Sequence, residues 1–368
     1  MNADAVVRVL GTLSLLAALG GCIQFGPRQL DADQIDYARS LSVSAKKQTL
    51  LNVVRLRYGD MPTFLDTTQV ISSYQLQRNV SGGFEVFPSA PISTYLTGTG
   101  SAQLQQSPTF TFQPLTGEQF AESLLRPLAP SDLLPLTVGG LPIDVLFRLS
   151  VQAIGRWSNA TGLVEGAGEG SPEFFLLLHD LRRLQIAGLL SIRVDRPGHA
   201  KADKDPKAPP ADDRRIFLTF APPGSTELAA VMEETRRLLG MKPRALDAEV
   251  VYGRFAPHPG EIALLTRSML GVLSQLAYQI NVPAADVTAG RTVASVGEVG
   301  IERRPVVIVQ NGPKPPARVY SSVEYDGSWY WIADTDFDSK VAFSIVSVLL
   351  DLAKTSSAPG AVVTIPAG

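Results

Sequence analysis

The sequence predicts an α+β fold: mixed, mainly antiparallel sheets, long amphipathic helices and a C-terminal hairpin-helix unit. Three observations carry that expectation. Helix-periodic and strand-periodic segments follow one another irregularly, not as a βαβ series. Asp326-Gly327 sits between two β-rich runs, the signal of a tight hairpin, directly ahead of a last apolar helix. An apolar fraction of 45% with 18% charge is globular, and 27 prolines with 31 glycines imply frequent interruption.

The chain opens on a leader. Arg8 precedes an apolar run from Val9 to Leu19, followed by Gly20-Gly21-Cys22. The run is shorter than the roughly 20 apolar residues of a membrane span, so it reads as a signal peptide. Leu19-Gly20-Gly21-Cys22 resembles the bacterial lipobox, an apolar residue and two small ones before a cysteine. The resemblance implies cleavage between Gly21 and Cys22, with acyl chains on the sulfur and the new amine. Two or more chains, at about 0.8 kcal/mol per buried methylene, make such an anchor effectively permanent. Ile23 stands where an aspartate would favour inner-membrane retention, which resembles an outer-membrane address. Cys22 is the only cysteine, so no intramolecular disulfide can form.

The organisation expected is a signal peptide at 1–21, a lipidated tether at 22–33, an N-terminal α+β region at 34–160 and a C-terminal α+β domain at 171–368. Apolar spacing from Gln34 to Tyr58 predicts a long amphipathic helix closed by Gly59-Asp60. Strand character rises from Phe64 to Leu76 and returns at Phe84–Phe87 and Thr109–Phe112, around a Gly, Ser, Thr and Gln-rich connection from Ser89 to Ser107. Thr116 with Gln119 has the form of a capping box, and Pro142 that of a first helical residue before Ile143–Trp157. Ser171-Pro172-Glu173 starts another helix, which Gly188 stops before a strand at Leu189–Val194. Residues 195–213 bury almost nothing and predict a disordered insertion. Strand Ile216–Phe220, helix Thr226–Leu239 ending at Gly240, strand Glu249–Tyr252 and helix Glu261–Ile280 follow. Phe220-Ala221-Pro222 and Phe255-Ala256-Pro257 each close a strand, a faint echo that duplication or common turn chemistry could produce. Strand Val306–Val309, hairpin Val319–Ala333 and helix Phe337–Leu352 complete the chain.

No familiar reaction finds its parts. His179, His199 and His258 lie too far apart to share a helix face, so no metal or other cofactor is expected. Asp334, Asp336 and Asp338 alternate like a calcium loop, but Ser339 and Ile345 occupy positions where an EF-hand needs Gly and Glu. Helix capping by Asp336 or Asp338 is the plainer reading. Ser44-Ala45-Lys46-Lys47 matches Ser-x-x-Lys only inside an amphipathic helix, away from any strand that could place Lys354-Thr355 beside it. Catalytic residues are therefore not assigned.

Tyr320, Tyr325, Trp329, Tyr330 and Trp331 form the densest aromatic cluster, a core face or a possible glycan-binding surface. Arg57 and Asp60, with Asp334, Asp336 and Asp338, are the candidate polar cluster. A net charge of −2, from 33 basic and 35 acidic residues, excludes a field that would gather nucleic acid.

Arg57-Tyr58-Gly59-Asp60 with Pro62, Pro114–Glu118 with Phe120, Leu265–Ser268, and Tyr330–Ile332 with Asp334, Asp336 and Ser339-Lys340 together resemble a family of bacterial envelope lipoproteins. The resemblance brings no activity or substrate. With a lipobox and no catalytic constellation, the expected protein is lipid-anchored and periplasmic, with a structural or interaction role, its partners the membrane and another envelope protein. Glycan or peptidoglycan-fragment binding and an envelope hydrolase of unfamiliar type stay open as alternatives.

Overall fold

The computed structural model describes residues 25–85, 95–159, 170–195, 214–294 and 304–355, with the backbone alone in 25–33 and 66–113. The leader with Cys22, Phe87, His199 and the insertion beyond Asp195 lie outside the described residues. The chain divides into two compact units, Met1–Pro62 with Ser123–Gly368, and Thr63–Glu122. No boundary falls near 160, because β3 (Val151–Ile154) pairs with β8 (Ile262–Thr266) in one sheet.

In the larger unit, helix α1 (Phe25–Arg57) begins inside the stretch expected to be a tether. Leu50, Val53, Val54 and Arg57, at the i, i+3, i+4, i+7 spacing of one helix face, are all buried. They pack on β10 (Val319–Tyr325) and α7 (Met269–Tyr278). The earlier turns stand in solvent, with Ile35 55% exposed.

The main sheet has the order β4-β3-β8-β7-β6-β5, where β4 is Trp157–Ser158, β5 Leu190–Asp195, β6 Arg215–Phe220 and β7 Asp247–Tyr252. Neighbours are antiparallel except β7 and β8, so the α+β class with mainly antiparallel sheets holds. On β6, Ile216, Leu218 and Phe220 are buried and alternate with partly exposed residues, the mark of a strand covered on one face. On β8, Ile262, Ala263 and Leu264 are buried in succession.

That succession explains a correction. The helix expected over Glu261–Ile280 is β8 followed by α7, because a strand buried on both faces loses the period of two. Ser268 starts α7, its Oγ accepting from the Gly271 amide at 3.2 Å. The same holds for Ile143–Trp157, which is α4 (Ile143–Ser150), β3 and β4. Pro142 is the residue before that helix, and the Ile143 amide donates to Gln185 Oε1 at 3.1 Å. Helix α5 (Pro172–Ile186) has Pro172 in its first turn, and α6 (Thr226–Leu239) ends at Gly240 with φ 71°, both as expected. Phe255 is 82% exposed and leads into β8, not a helix, so the two Phe-Ala-Pro segments are not equivalent.

The second sheet has the order β10-β11-β9, with β11 Ser328–Ala333 and β9 Gln310–Gly312. Its turn is the expected one: Asp326 and Gly327 both have positive φ, 47° and 75°, as a type I′ hairpin requires. Val306–Val309 is buried but is no strand. Side chains bond its amides instead, Gln279 Oε1 accepting from Val306 at 3.1 Å and Ser339 Oγ from Ile308 at 2.9 Å. Helix α9 (Phe337–Thr355) follows.

The smaller unit is dominated by one antiparallel hairpin, β1 (Leu65–Glu85) and β2 (Tyr95–Pro114), paired from Leu65 and Pro114 to Glu85 and Tyr95. Residues 95–107, expected in a connection, belong to this ladder; Gln, Ser and Thr have suggested a loop where they form a strand. The capping box at Thr116 is not made: its side chain makes no cap bond, and the one-turn helix α2 (Gly117–Phe120) widens into a π turn at Ala121–Leu125.

Replacing Ser268 by Ala removes the hydroxyl that starts α7 and should destabilise the protein by about 1 kcal/mol. Urea unfolding should show a lower midpoint at unchanged slope.

Candidate functional site

The densest polar arrangement gathers around the end of α1. The Asp60 amide donates to the Arg55 carbonyl at 2.9 Å and the Gly59 amide to Leu56 at 3.2 Å, with Gly59 at φ 82°. This is a Schellman closure, and Gly59 supplies the left-handed residue it needs. It leaves Tyr58 beside the C-terminal hairpin, its ring 5.2 Å from Tyr325 and 6.4 Å, edge-on, from Tyr330.

Tyr58 Oη donates to Asp286 Oδ2 at 2.5 Å and lies 2.6 Å from Tyr330 Oη. With the single Tyr58 hydrogen committed to the carboxylate, Tyr330 is the donor to Tyr58. Asp286 belongs to the one-turn helix α8 (Ala284–Thr288), and Arg291 donates to its other oxygen. Tyr325 donates to Asp60. The Arg57 side chain, 2% exposed, donates to the carbonyls of Tyr278 (3.3 Å) and Val293 (2.8 Å), and Thr292 Oγ1 donates to the Arg57 carbonyl at 2.7 Å. The segment 286–293 is thus strapped to the end of the helix by its own backbone and by two side chains.

The electrostatics keep these groups in fixed protonation states. Burial raises the Tyr58 phenol far above its ordinary value, and the hydrogen bond to Asp286 raises it further. Burial and the Asp60 carboxylate push Tyr325 up to about 12. Burial also raises Tyr330. The Tyr58 hydrogen bond holds Asp286 below the usual carboxylate range, helped by Arg291 against the cost of desolvation. Phenols that stay protonated beside a carboxylate that stays charged make a clamp.

The structure divides the expected aromatic surface. Tyr325 and Tyr330 join the clamp, and Tyr330 is 0% exposed. Trp331 is buried, its Nε1 donating to Gln310 Oε1 at 2.8 Å, while Trp329 is half-buried. Tyr320 stands edge-on to Phe343 with the Lys46 ammonium 4.5 Å above its ring. These rings form no open coplanar platform.

The expected polar cluster is also divided. Arg57 and Asp60 belong to the clamp; Asp334, Asp336 and Asp338 form a second group at the start of α9. Asp336 caps that helix, accepting from the Ser339 amide at 3.2 Å and its hydroxyl at 2.6 Å. Arg304 donates to Asp336 at 2.5 Å and to Asp338 at 2.7 Å, and Lys340 to Asp334 at 2.9 Å. Burial works to raise Asp336, but the Ser339 and Arg304 hydrogen bonds prevail and hold it low. Among the described residues, no three His, Cys, Asp or Glu side chains are grouped to hold a metal.

A cleft of about 500 Å³ opens between residues 126–131, at the start of helix α3 (Pro130–Val138), and the ends of β6 and β7. Its cations are largely answered, Arg214 by Asp132 at 2.9 Å and Arg215 by Glu249. Asp286 and Arg291 escaped the sequence reading because Asp286 meets Tyr58 across 228 residues, with no local pattern to mark it. No family model, no curated protein and no solved structure matches the chain.

Two predictions follow from the clamp. Tyr58→Phe takes from Asp286 Oδ2 its donor and from the Tyr330 hydroxyl its acceptor, and should cost about 1–3 kcal/mol in denaturant unfolding, more than Tyr330→Phe. The raised Tyr325 phenol contributes stability that is complete below the unfolded value of about 10 and is lost as pH rises through its folded value of about 12. The depressed Asp286 carboxyl contributes stability that is complete above the unfolded value of about 3.9 and is lost as pH falls toward its lower folded value. Stability measured against pH should therefore lose part of its alkaline limb in Tyr325→Phe and part of its acid limb in Asp286→Asn.

Proposed function

We propose that this chain is a lipid-anchored lipoprotein of the bacterial envelope, held through Cys22 in the outer membrane and facing the periplasm, with a structural or interaction role. The carrying observation is Leu19-Gly20-Gly21-Cys22 at the end of a short apolar run, with helix α1 beginning three residues later. Thirty-three residues at 1.5 Å each make α1 about 50 Å long. Residues 34–47 are largely solvated, and the far end of the helix is buried in the tyrosine clamp. This geometry suits a rigid link between the lipid anchor and the folded body. The burial of Tyr330 and Trp331 disfavours the glycan-platform alternative. No helix among the described residues is long and apolar enough to cross a membrane.

Labelled palmitate should enter the wild type and not Cys22→Ser, and the wild type should sediment with outer membranes. Equal labelling of both would sink the anchor. Affinity capture from detergent-solubilised envelopes should recover an envelope protein with the wild type and lose it when the anchor is removed.

A further inference from the structure

The two-stranded hairpin β1–β2 poses a physical problem. Neither strand pairs with a third among the described residues, so each presents an open edge of backbone donors and acceptors along some 20 residues. An isolated ribbon of this kind is marginal in water and a template for further pairing.

The register sorts its residues into two alternating rows of cross-strand pairs, and alternate rows lie on opposite faces. One row pairs Val70 with Phe110, Ser72 with Pro108, Tyr74 with Gln106, Leu76 with Leu104, Arg78 with Ala102, Val80 with Gly100 and Phe84 with Leu96. The other runs from Gln69 with Thr111 to Gly83 with Thr97, and there every residue except Ile71 and Gly83 is Gln, Asn, Ser or Thr. One face is largely apolar; the other is polar and carries no charge between Gln69 and Gly83.

The charges are placed as tellingly. Strand β2 has none, and β1 has only Asp66, Arg78 and Glu85. Asp66, paired with Gln113 at the end of the polar face, and Arg78, in the apolar row, bracket the eleven residues from Thr67 to Gln77. A tilted β-strand crosses a bilayer in roughly 9–11 residues. The charge-free stretch matches one crossing, with Asp66 and Arg78 at the two headgroup levels. Neutral polar rows facing inward and apolar rows facing lipid are the alternation of a membrane barrel. Open edges are abolished only by closing the sheet, which a single hairpin cannot do.

We propose that several copies of this chain join their β1–β2 hairpins edge to edge into one closed barrel that crosses the membrane at residues 67–77 and 103–112, the Gln, Ser and Thr row lining an aqueous channel. The proposal rests on the envelope reading above, which brings the copies to one membrane; Pro108 forfeits a single ladder donor.

The test uses the full lipidated chain extracted in mild detergent. Native mass spectrometry should give a multiple of the monomer mass, and planar bilayers should show discrete conductance steps. Leu76→Asp with Leu104→Asp, on the apolar row, should abolish the steps. Gln75→Lys with Gln105→Lys, on the polar row, should keep oligomer and steps but shift selectivity toward anions. A monomer without conductance, an oligomer that never inserts, or steps whose selectivity ignores the lysines overturns the barrel. Palmitate labelling of the same samples separates the two readings: labelled but silent protein removes the barrel and keeps the anchor, and conducting but unlabelled protein does the reverse.

Discussion

A helix that leaves half its length in water has to be fixed at its other end, and here one tyrosine does most of the fixing. Tyr58 is the C-cap residue inside the Schellman turn, and its hydroxyl spends its hydrogen on Asp286 while accepting from Tyr330. That one oxygen joins three segments distant in sequence: the end of α1, the short helix α8 and strand β11. The arrangement is costly to disturb because the groups are buried or partly buried and each partner left behind would be unsatisfied. Arg57 extends the same logic, turning a buried cation toward carbonyl oxygens of the 278–293 region where solvent is excluded.

Elsewhere in the larger unit, side chains stand in where backbone ladders stop. Arg267, buried, directs its guanidinium to the carbonyls of Arg148, Leu149 and Val151, the last turn of α4 and its exit. Asn159 meets two of the same acceptors at 2.9 and 2.7 Å. A cation at a helix C-terminus complements the dipole and satisfies orphan carbonyls at once. Gln185, Gln279 and Ser339 serve other unladdered backbone groups in the same way. The fold therefore depends on single polar residues whose importance no local composition reveals.

That division accounts for what could be read in advance. Elements with one covered face and local stop signals were legible: β6, α5 and α6 with their Pro172 and Gly240, the Asp326-Gly327 hairpin and α9. Elements buried on both faces were not, since β8 and β3 bury successive residues and lose the alternation that marks a strand. The long hairpin was half legible. Its apolar positions announced strands, while its Gln and Ser positions, read one segment at a time, announced a loop; only the register shows that they form a continuous row. Of the candidate site, Arg57, Asp60, Tyr325 and Tyr330 were named in two separate groups. What joins them, Asp286 with Arg291, became visible only when 228 residues of chain had been folded together.

The hairpin's composition makes most sense when its two possible surroundings are compared. In water, the row holding Val70, Phe110, Leu76 and Leu104 would expose apolar surface, and the opposite row of glutamines, serines and threonines would be unremarkable. Natural ribbons meant for water protect their edges with lysines, inward charges or short length. This one has only Asp66, Arg78 and Glu85 as charges over some 20 paired residues on each strand. In a closed barrel the same choices become requirements: charge is excluded where lipid would have to solvate it, small and amide side chains line the water, and the bilayer sets the length of the charge-free stretch. The absence of charge between Asp66 and Arg78 is what a crossing needs, and a soluble strand has no reason to keep it.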